Sequence, residues 1–355
     1  MRKLLQQRRR GAARVGPGEA IALSCRIRLA RNIEGLRFPD WNDEAGHLAV
    51  VDRLVEAIRG TGCLPIARLI GGRDAPADAE EWSLLHEAHL VSKDLLDRGR
   101  GGALIQSTDP GVSIMLNEED HLRIQVIRPG MDLRAAWAVA DQLDTRLEAV
   151  LPYAFSPRLG YLTACPSNVG TGLRASVMVH LLGLRLSEDL EAVLRALDAL
   201  HVTVRGVYGE GTEAAGHLFQ ISNQGTLGQR EHEVVDTLLQ QVEEVIRQEQ
   251  AARLRLMRDS PVLLQDCVAR ALALLQHARM IPSDESMDYL SALRLGVQTG
   301  MLNNLTIRRI DELMIATQPA HLLATLHETA AESGQRDALR AAWLSEKLAP
   351  VSLSV

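Results

Sequence analysis

The chain has 355 residues, of which 46% are hydrophobic and 24% are charged, and its formal net charge is -6 at pH 7. At roughly 150 residues per domain this length suggests two domains, and the composition excludes an intrinsically disordered chain. No stretch approaches the roughly 20 consecutive apolar residues of a membrane span, so integral membrane function is excluded. The acidic balance and an aromatic content of 3% argue against direct nucleic-acid binding.

Two features bear on the compartment in which the protein works. Residues 1–14 carry six basic side chains and no acidic one, and no apolar segment of roughly 7 residues follows them. We therefore interpret residues 1–19 as a basic N-terminal arm and expect a cytoplasmic protein. The chain also holds four widely spaced cysteines that form no CxxC pair: Cys25, Cys63, Cys165 and Cys267. Their spacing predicts neither a disulfide framework nor a zinc site and favours reduced thiols.

The first half of the chain mixes helical and strand patterns. Apolar periodicity predicts helices over 40–60 and 80–97. Three short runs then predict strands, ALIQS, VSIMLNE and HLRIQVIR, and the DPG turn and NEED linker between them favour an antiparallel meander. The next predicted elements are a helix over 132–150, a strand YLTA, helices over 173–182 and 188–200, and strands VTVRGVY and HLFQISN.

From about residue 229 the pattern becomes entirely helical. The predicted helices cover 229–259, 262–277, 286–298, 308–315, 321–332 and 335–347. We therefore expect an α+β fold, with an antiparallel-sheet domain over 20–228 followed by an all-helical C-terminal domain over 229–355.

The segment CPSNVGTGLRAS, residues 165–176, is rich in glycine and could present backbone N–H groups to an anion. It lacks the GKT/S ending of a Walker A loop, so the positive field would come from Arg174 and from a helix that we expect to begin near Leu173. The glycines alone favour a structural turn over an anion-binding loop.

Five arginines lie beside strand or turn signals: Arg26, Arg28, Arg123, Arg174 and Arg205. Arg26 and Arg28 are two positions apart and can share one face of a strand. Guanidinium groups bind phosphate oxygens in pairs and keep their charge, so a cage of them suits a polyphosphate held for transfer. A lone arginine would instead be interpreted as a surface salt bridge, and spacing alone does not assemble the set.

Four motifs, SCRIRLARN, NEEDHLRIQ, CPSNVGTGLRAS and RGVYGEG, occur in this order and resemble the signatures of the ATP:guanidino phosphotransferases. The resemblance covers roughly residues 20–228 and extends to the bacterial protein-arginine kinases in particular, whose C-terminal helical domain resembles residues 229–350. Creatine and arginine kinases carry a helical domain of about 100 residues before the first motif, an ordinary domain size. Because that motif begins here at Ser24, we expect no such domain.

The resemblance implies transfer of a phosphoryl group from Mg-ATP to a guanidinium nitrogen of a substrate protein. It assigns Glu119 as the principal base, Glu210 as a second carboxylate clamp, and Cys165 as a thiol that positions the guanidinium electrostatically. Carboxylates suit this task, since a guanidinium must be oriented and relieved of a proton as it attacks. The five arginines would form the phosphate cage. Without them, NEED would be interpreted as the polar tip of a hairpin.

The same resemblance extends the expected ATP site to further positions: Ser24, Cys25, Ile27, His86, Ala175, Ser176, Val177, Met178, Gly206, Val207, Tyr208, Gly209 and Glu210. His86 lies in a predicted helix and could equally be structural. Cys25 stands where serine is common in the family and would add an oxidisable thiol beside the nucleotide. Magnesium would be held mainly by ATP oxygens and water, so we expect no cluster of protein metal ligands.

The segment GQRDALRAAWL near the end of the chain resembles the phosphoarginine-binding motif of these kinases, with Arg336, Asp337, Arg340 and Ala341 at the motif positions. On its own the pattern favours a charged helix face over a ligand site. The resemblance also implies partners: substrate proteins with exposed arginines, a zinc-containing activator, a Clp protease or its chaperone, a stress-gene repressor, and a second copy of the chain in a homodimer.

Two other functions remain open. The chain could be a phosphagen kinase acting on a free small guanidino compound, or a non-catalytic adaptor that reads phosphoarginine through Arg336 and Arg340. Retention of Glu119, Glu210, Cys165 and all five arginines argues against the adaptor, because a binding module does not need the complete set.

Overall fold

A computed structural model describes residues 21–73, 78–207, 214–328 and 332–354. Within these ranges the chain forms an eight-stranded antiparallel sheet with packed helices, followed by a helical region. The expected α+β architecture is confirmed. The basic N-terminal arm, residues 1–19, lies outside the described residues.

The main sheet has the strand order β2–β3–β4–β5–β1–β8–β10–β9, and each neighbouring pair is antiparallel. Its strands are β1 Ala22–Arg31, β2 Ile66–Gly71, β3 Ala103–Ser107, β4 Val112–Leu116, β5 Leu122–Pro129, β8 Leu173–His180, β9 Val202–Gly206 and β10 Leu218–Asn223. Two small hairpins pair β6 Phe155–Ser156 with β7 Gly160–Tyr161, and β11 Leu302–Asn303 with β12 Ser352–Leu353. The predicted meander of β3, β4 and β5 is confirmed.

The α-helices of the described ranges are α1 Glu44–Thr61, α2 Ala79–Glu87, α3 Lys93–Arg98, α4 Leu133–Glu148, α5 Leu182–Leu186, α6 Leu190–Ala199, α7 Glu231–Asp259, α8 Pro261–His277, α9 Ser283–Gln298, α10 Ile307–Ala316, α11 Pro319–Leu326 and α12 Ser333–Leu348. Most of the helices predicted from apolar periodicity lie within a few residues of these bounds.

The two faces of the sheet differ in polarity, as the central strand β1 shows. Successive side chains of a strand point to opposite faces, and here Cys25, Ile27 and Leu29 are fully buried on one of them. Helix α4 packs against β1 and β5 on this apolar face. Arg26 and Arg28 therefore project from the other face, which is the one that carries the candidate site.

The predicted helix over 173–182 is wrong, because residues Leu173–His180 form strand β8. Its residues alternate in burial, with Ala175 and Val177 on the apolar face and Arg174 opposite them. Strands β1 and β10 pair with β8 along both of its edges, so the period of two decides its structure. The glycine-rich segment therefore leads into a strand.

Three other expectations differ from the structure. The single helix over 80–97 is two helices, α2 and α3, separated at His89, whose φ of 57° interrupts the helical backbone. The helix expected over 321–332 ends earlier, at His327, which has a φ of 62°. The segment YLTA contributes only Tyr161 to a paired strand, while β2 and the hairpin of β11 and β12 were not predicted.

Helix α7 joins the sheet to the helical region. Its apolar residues, from Val234 to Ala252, pack into the core beneath the sheet, although the pattern of the sequence assigned this helix to the C-terminal domain. The core of the later helices holds residues of α8, α9, α10 and α12. The expected boundary between residues 228 and 229 thus falls before a helix that packs on the sheet.

A buried polar network fastens α7 to the end of β8. Glu249 is fully buried, and its carboxylate accepts hydrogen bonds from the backbone N–H groups of Gly183 and Leu184, at 2.8 Å each, and from Arg253 Nε at 2.6 Å. Arg253 Nη2 also donates to the carbonyl oxygen of His180 at 3.1 Å. Burial raises the pKa of Glu249, and Arg253 opposes that effect. Loss of this carboxylate would leave a buried guanidinium without its counter-ion.

We predict that Glu249→Gln lowers the free energy of unfolding by about 3 kcal/mol, because removal of one partner leaves a buried charge uncompensated. Urea denaturation followed by circular dichroism measures the change. The matched control is Glu244→Gln on the same helix, where an exposed carboxylate pairs with Arg247, and there we expect a change within about 0.5 kcal/mol. Equal effects of the two substitutions would contradict this description of the network.

Candidate active site

Four arginines are brought together on one face of the sheet by the strand register. Arg28 of β1 lies directly opposite Arg174 of β8, and Arg123 of β5 lies opposite Ala30 of β1. Residues that are directly opposed in neighbouring strands project to the same face. Arg26, two positions before Arg28, shares that face, so the predicted grouping of these arginines agrees with the register.

Arg205 lies farther along the same face. It pairs with Gln220 of β10, which in turn lies opposite Met178 of β8. Gln220 has a second role, because its Oε1 atom accepts a hydrogen bond of 2.6 Å from Arg26 Nη2. A neutral amide thus orients Arg26 without cancelling its charge. The arginine face therefore extends across strands β5, β1, β8, β10 and β9.

The charges on this face are poorly compensated by the protein. Among the described residues no carboxylate lies within 4.0 Å of the guanidinium of Arg26, Arg28 or Arg174. Arg28 Nε is buried and has no hydrogen-bond partner. Burial and the charges of Arg123 and Arg174 lower the pKa of Arg26 to about 10.

Burial and the neighbouring arginines also hold the pKa of Arg28 and of Arg174 below the ordinary value of 12.5. Arginine nevertheless stays protonated near neutral pH, so the mutual repulsion remains. A buried N–H group without an acceptor among the described residues, set among repelling cations, suits an anion with several oxygens. The triphosphate of ATP fits this face.

The NEED turn closes the predicted hairpin of β4 and β5, and all of it except Glu119 is buried. Asn117, Glu118 and Asp120 are fully inaccessible to solvent. Asn117 Nδ2 donates to the carbonyl oxygens of His47 and Gly101, at 2.9 and 3.0 Å. The turn is thus held by side-chain bonds that its amino-acid sequence does not indicate.

The acidic residues of this turn have different surroundings. Glu118 accepts hydrogen bonds from Arg123 Nη1 and from the Ser92 hydroxyl, and its ion pair with Arg123 is buried. Glu119 keeps 32% of its side chain exposed, and its Oε2 atom lies 3.1 Å from Arg123 Nη2. Burial raises the pKa of Glu119, Arg123 opposes this, and the neighbouring carboxylates add to it. Glu119 is therefore the acid of the turn that can meet a substrate and accept a proton.

The loop that carries Cys165 is tied to the NEED turn through Asp120. Asp120 Oδ1 accepts hydrogen bonds from Asn32 Nδ2 at 2.6 Å and from the backbone N–H of Ala164 at 2.7 Å. Cys165 Sγ lies 3.0 Å from Ser167 Oγ at the start of a single turn of 3₁₀ helix, Pro166–Asn168. Glu119 and Cys165 are thus carried by two segments joined through one buried carboxylate.

Arg174 interacts electrostatically with both Glu119 and Cys165. The charges of Cys165 and of Glu119 each act to raise the pKa of Arg174, against the larger effects of burial and the other arginines. Glu119 and Cys165 therefore both lie within electrostatic range of Arg174. The helix expected at Leu173 contributes nothing to it, since that residue begins a strand, and the positive field comes from the arginine side chains.

The glycine-rich segment passes too close to its neighbours to tolerate side chains. A Cβ atom on Gly170, whose φ is 116°, would lie 2.3 Å from the carbonyl oxygen of Thr226, and one on Gly172 would lie 2.5 Å from Arg31 Nη1. Arg31 Nη1 donates to the carbonyl oxygen of Thr171 at 2.9 Å, and its other nitrogens bind Asp144. These glycines thus serve close packing of a loop that Arg31 holds in place.

Five residues that position this site were not predicted from the sequence: Glu118, Asp120, Asn32, Arg31 and Gln220. Four of them lie inside the SCRIRLARN and NEED motifs, so the motifs pointed to them without giving their roles. Gln220 had no such signal, because its contact with Arg26 spans 194 positions of the chain.

Part of the expected ATP site lies on the other face of the sheet. Cys25, Ile27, Ala175 and Val177 are fully buried in the apolar core, whereas Ser24, Ser176 and Met178 share the arginine face. The thiol of Cys25 is therefore not beside the arginines, which corrects the expectation of an oxidisable thiol next to the nucleotide. Burial raises the pKa of Cys25 to about 12.

Other expected ATP contacts stay predictions. His86 is exposed on α2, and its Nδ1 atom lies 3.3 Å from the carbonyl oxygen of Val91; within the described ranges it makes no contact with the arginines. Gly206 ends β9 and Val207 is buried just after it. The remaining positions, Tyr208, Gly209 and Glu210, lie outside the described residues.

The expected phosphoarginine motif lies on α12. Arg340 is 1% exposed, and its guanidinium donates to the carbonyl oxygens of Thr317 and Ile281 and to Asp337 Oδ1, at 3.0, 2.7 and 2.7 Å. Ala341 is fully buried among the helices. Arg336 and Asp337 are only partly buried. These contacts give Arg340 a packing role, and binding of phosphoarginine stays a prediction.

The described ranges contain no cluster of three or more His, Cys, Asp or Glu side chains arranged to hold a metal ion. They also contain no helix that is both long and apolar enough to cross a membrane.

Comparison with known proteins agrees with this geometry. The family model described as ATP:guanido phosphotransferase, C-terminal catalytic domain, matches residues 73–252, about half of the chain. The chain belongs to the ATP:guanido phosphotransferase family. A second model, described as the protein-arginine kinase McsB C-terminal domain, matches residues 261–354 and places the chain in the protein-arginine kinase branch of the family.

Relatives cover nearly the whole chain. A protein from Pelotomaculum thermopropionicum is 45% identical over 311 residues, 86% of each chain, and one from Bacillus pumilus is 42% identical over 333 residues, 94% of this chain and 91% of the relative. Both are named protein-arginine kinase. This family member is therefore a phosphotransferase.

Solved structures share the fold. A lombricine kinase structure has a TM-score of 0.55 and 28% identity, and the match covers 67% of this chain and 69% of that one. A duplicated taurocyamine kinase from Schistosoma mansoni has a TM-score of 0.59 at 21% identity, covering 76% of this chain and 40% of that one, and it supports the fold alone.

We predict that Cys25 resists alkylation in the folded protein. With a pKa of about 12, about one thiol in ten thousand is ionised at about pH 8. Iodoacetamide treatment followed by peptide mass spectrometry measures the labelling, with the urea-unfolded chain as the control in which Cys25 reacts. Rapid labelling of Cys25 in the native chain would contradict its placement on the apolar face.

Proposed function

We propose that the chain is an ATP-dependent protein-arginine kinase, which transfers the γ-phosphoryl group of ATP to arginine side chains of other proteins. One observation carries this proposal. A face of arginines that lack carboxylate partners among the described residues is joined through Arg123 to one partly exposed carboxylate, Glu119. The first feature suits a polyphosphate donor, and the second suits a cationic acceptor that must lose a proton.

On the side of the phosphoryl donor, the phosphates of ATP are bound by Arg26, Arg28 and Arg174. Arg123 connects this group of arginines to Glu119, with which it forms an ion pair. Magnesium bound to the nucleotide would neutralise charge that develops on the phosphate oxygens. Because the guanidinium groups are already held at the sheet, little reorganisation is needed when charge builds up during transfer.

At the acceptor end, Glu119 binds the guanidinium of the substrate by charge-assisted hydrogen bonds. A nitrogen of that guanidinium attacks the γ-phosphorus, the new N–P bond forms, and the bond to the bridging oxygen of ADP breaks. The proton leaving the nitrogen passes to Glu119, whose raised pKa makes it a better base. Cys165, half-buried beside this region, places a polarisable sulfur near the cation, and Glu210 would supply the second clamp.

The acceptor class is proposed from the relatives. Those reported above carry the name protein-arginine kinase, and the C-terminal model of that kinase matches the helical region. A small-molecule phosphagen kinase is the competing function, since the fold is shared with a lombricine kinase.

We extend the proposal to the biological role. Phosphorylated proteins would be passed to a Clp protease or its chaperone during stress, in the cytoplasm, with a zinc-containing activator and a stress-gene repressor as further partners. The chain would act as a homodimer, and phosphoarginine would regulate it through the motif of α12 that contains Arg336, Asp337, Arg340 and Ala341. Support for this role comes from the resemblance to the protein-arginine kinases.

We predict that the purified chain, incubated with Mg-ATP and casein, produces acid-labile phosphate on arginine, and that Glu119→Gln lowers the rate at least 100-fold because the base is lost. Phosphorus NMR and mass spectrometry under non-acidic conditions measure the N–P bond. The control Glu244→Gln removes an exposed carboxylate of α7 and should leave the rate unchanged.

Free arginine serves as the competing acceptor in the same experiment. Phosphate on free arginine alone would replace the proposal with a small-molecule kinase. No transfer to either acceptor, with an activator protein present, would contradict a kinase and favour the adaptor.

A further inference from the structure

An exposed pair of aromatic rings lies beside the NEED turn. Trp41 is 77% exposed, the highest fraction for any large hydrophobic side chain of the described residues. Its ring lies 6.1 Å from that of Phe38, with 16° between the two planes. We refer to Phe38 and Trp41 as the aromatic ledge. Neither the family motifs nor the chemistry of phosphoryl transfer assigns it a role.

The aromatic ledge is held firmly in place. His47 Nε2 lies 2.7 Å from the carbonyl oxygen of Pro39, and the ring of Phe38 meets the ring of His121 edge to face at 6.3 Å. His121 Nδ1 accepts a hydrogen bond from the backbone N–H of Ile33, so its Nε2 donates to the carbonyl oxygen of Arg37 at 2.9 Å. A rigid loop thus keeps Trp41 in water, where its apolar surface contributes nothing to the core.

The same loop is joined directly to the turn that carries Glu119. Arg98 Nη2 donates to Asp40 Oδ1 at 2.6 Å and to the carbonyl oxygen of Glu118 at 2.7 Å. His121, which contacts Phe38, lies two positions after Glu119. Arg98 and His121 therefore hold the aromatic ledge against the turn that carries Glu119.

The charge around the aromatic ledge is negative. Residues 34–44 expose four carboxylates, Glu34, Asp40, Asp43 and Glu44. Asp40 is paired with Arg98, which leaves three against the single cation Arg37 of this segment. Exposed carboxylates attract basic polypeptides, and the face of an indole ring binds ammonium and guanidinium groups. An exposed tryptophan is also the residue type most often found as the anchor of a protein interface.

We propose that the aromatic ledge binds the segment of a substrate protein that flanks the target arginine, with a preference for basic and apolar neighbours. The proposal rests on the proposed function, whose site it extends from a single guanidinium to a stretch of polypeptide. Trp41 packs against side chains next to the target arginine while Glu119 holds its guanidinium. A free amino acid bound at Glu119 has no flanking residues to reach Trp41.

The test compares Trp41→Ala with the unmodified chain on a synthetic peptide that carries one arginine between lysine and leucine residues. We expect KM for this peptide to rise roughly fivefold or more, with kcat and KM for ATP unchanged, because a binding contact is lost and the reacting groups are kept. Trp41→Phe should restore most of the binding. Val262→Ala, which truncates a 74% exposed side chain on α8, is the matched control and should change nothing.

Anisotropy of the same peptide labelled with a dye, measured without ATP, reports binding by itself. An unchanged peptide affinity in Trp41→Ala would overturn the proposal, as would a parallel loss of kcat and ATP affinity, which would show that the substitution acts through the NEED turn. Equal affinity for a peptide with glutamate in place of lysine would overturn the basic preference. Absence of phosphoarginine with every chain would instead count against the proposed kinase, and the binding measurement would still decide the role of Trp41.

Discussion

The structure depends on holding several like charges together on one face of a sheet. Arg28 and Arg174 are direct neighbours across β1 and β8, and Arg26 adds a third guanidinium without a carboxylate partner among the described residues. Such an arrangement costs folding free energy, because burial and repulsion both disfavour the cations. The opposite face offsets this cost with a continuous apolar core beneath α4 and α7. A site for a polyanion is thus formed before the anion binds.

The acids around this face are divided by burial. Glu118 is fully buried and neutralises Arg123, and Asp120 is buried and holds the loop of Cys165 through the backbone N–H of Ala164. Only Glu119 of this turn keeps an exposed carboxylate. A single four-residue turn therefore provides structural support, loop attachment and the carboxylate that we propose as the base, and Arg123 connects that carboxylate to the arginine face.

Secondary structure was predictable from the sequence wherever the apolar residues recurred with a single clear period, helical or strand-like. Helices such as α4 and α9 follow clear apolar stripes, and the strands β3, β4 and β5 are separated by recognisable turns. Strand β8 was missed although its apolar residues, Leu173 to Val179, recur at every second position. The helix expected after the glycine-rich segment took precedence over this period of two, and pairing with β1 and β10 decides the outcome. The arginines and Glu119 could be grouped because four motifs in order resemble those of a known family. That Cys25 points away from them could be seen only from the register of β1. Long-range contacts such as that between Arg26 and Gln220 have no signal in the sequence around either residue.

We infer that repulsion within the arginine face lowers the stability of the fold and that ATP binding offsets this loss. It is tested most directly by the thermal unfolding midpoint of the unmodified chain and of Arg28→Met, each with and without Mg-ATP. Methionine keeps an extended side chain and removes the buried charge whose Nε lacks a partner, so the account predicts a higher midpoint without nucleotide and no stabilisation by ATP. A lower midpoint without nucleotide together with an undiminished ATP shift would contradict it.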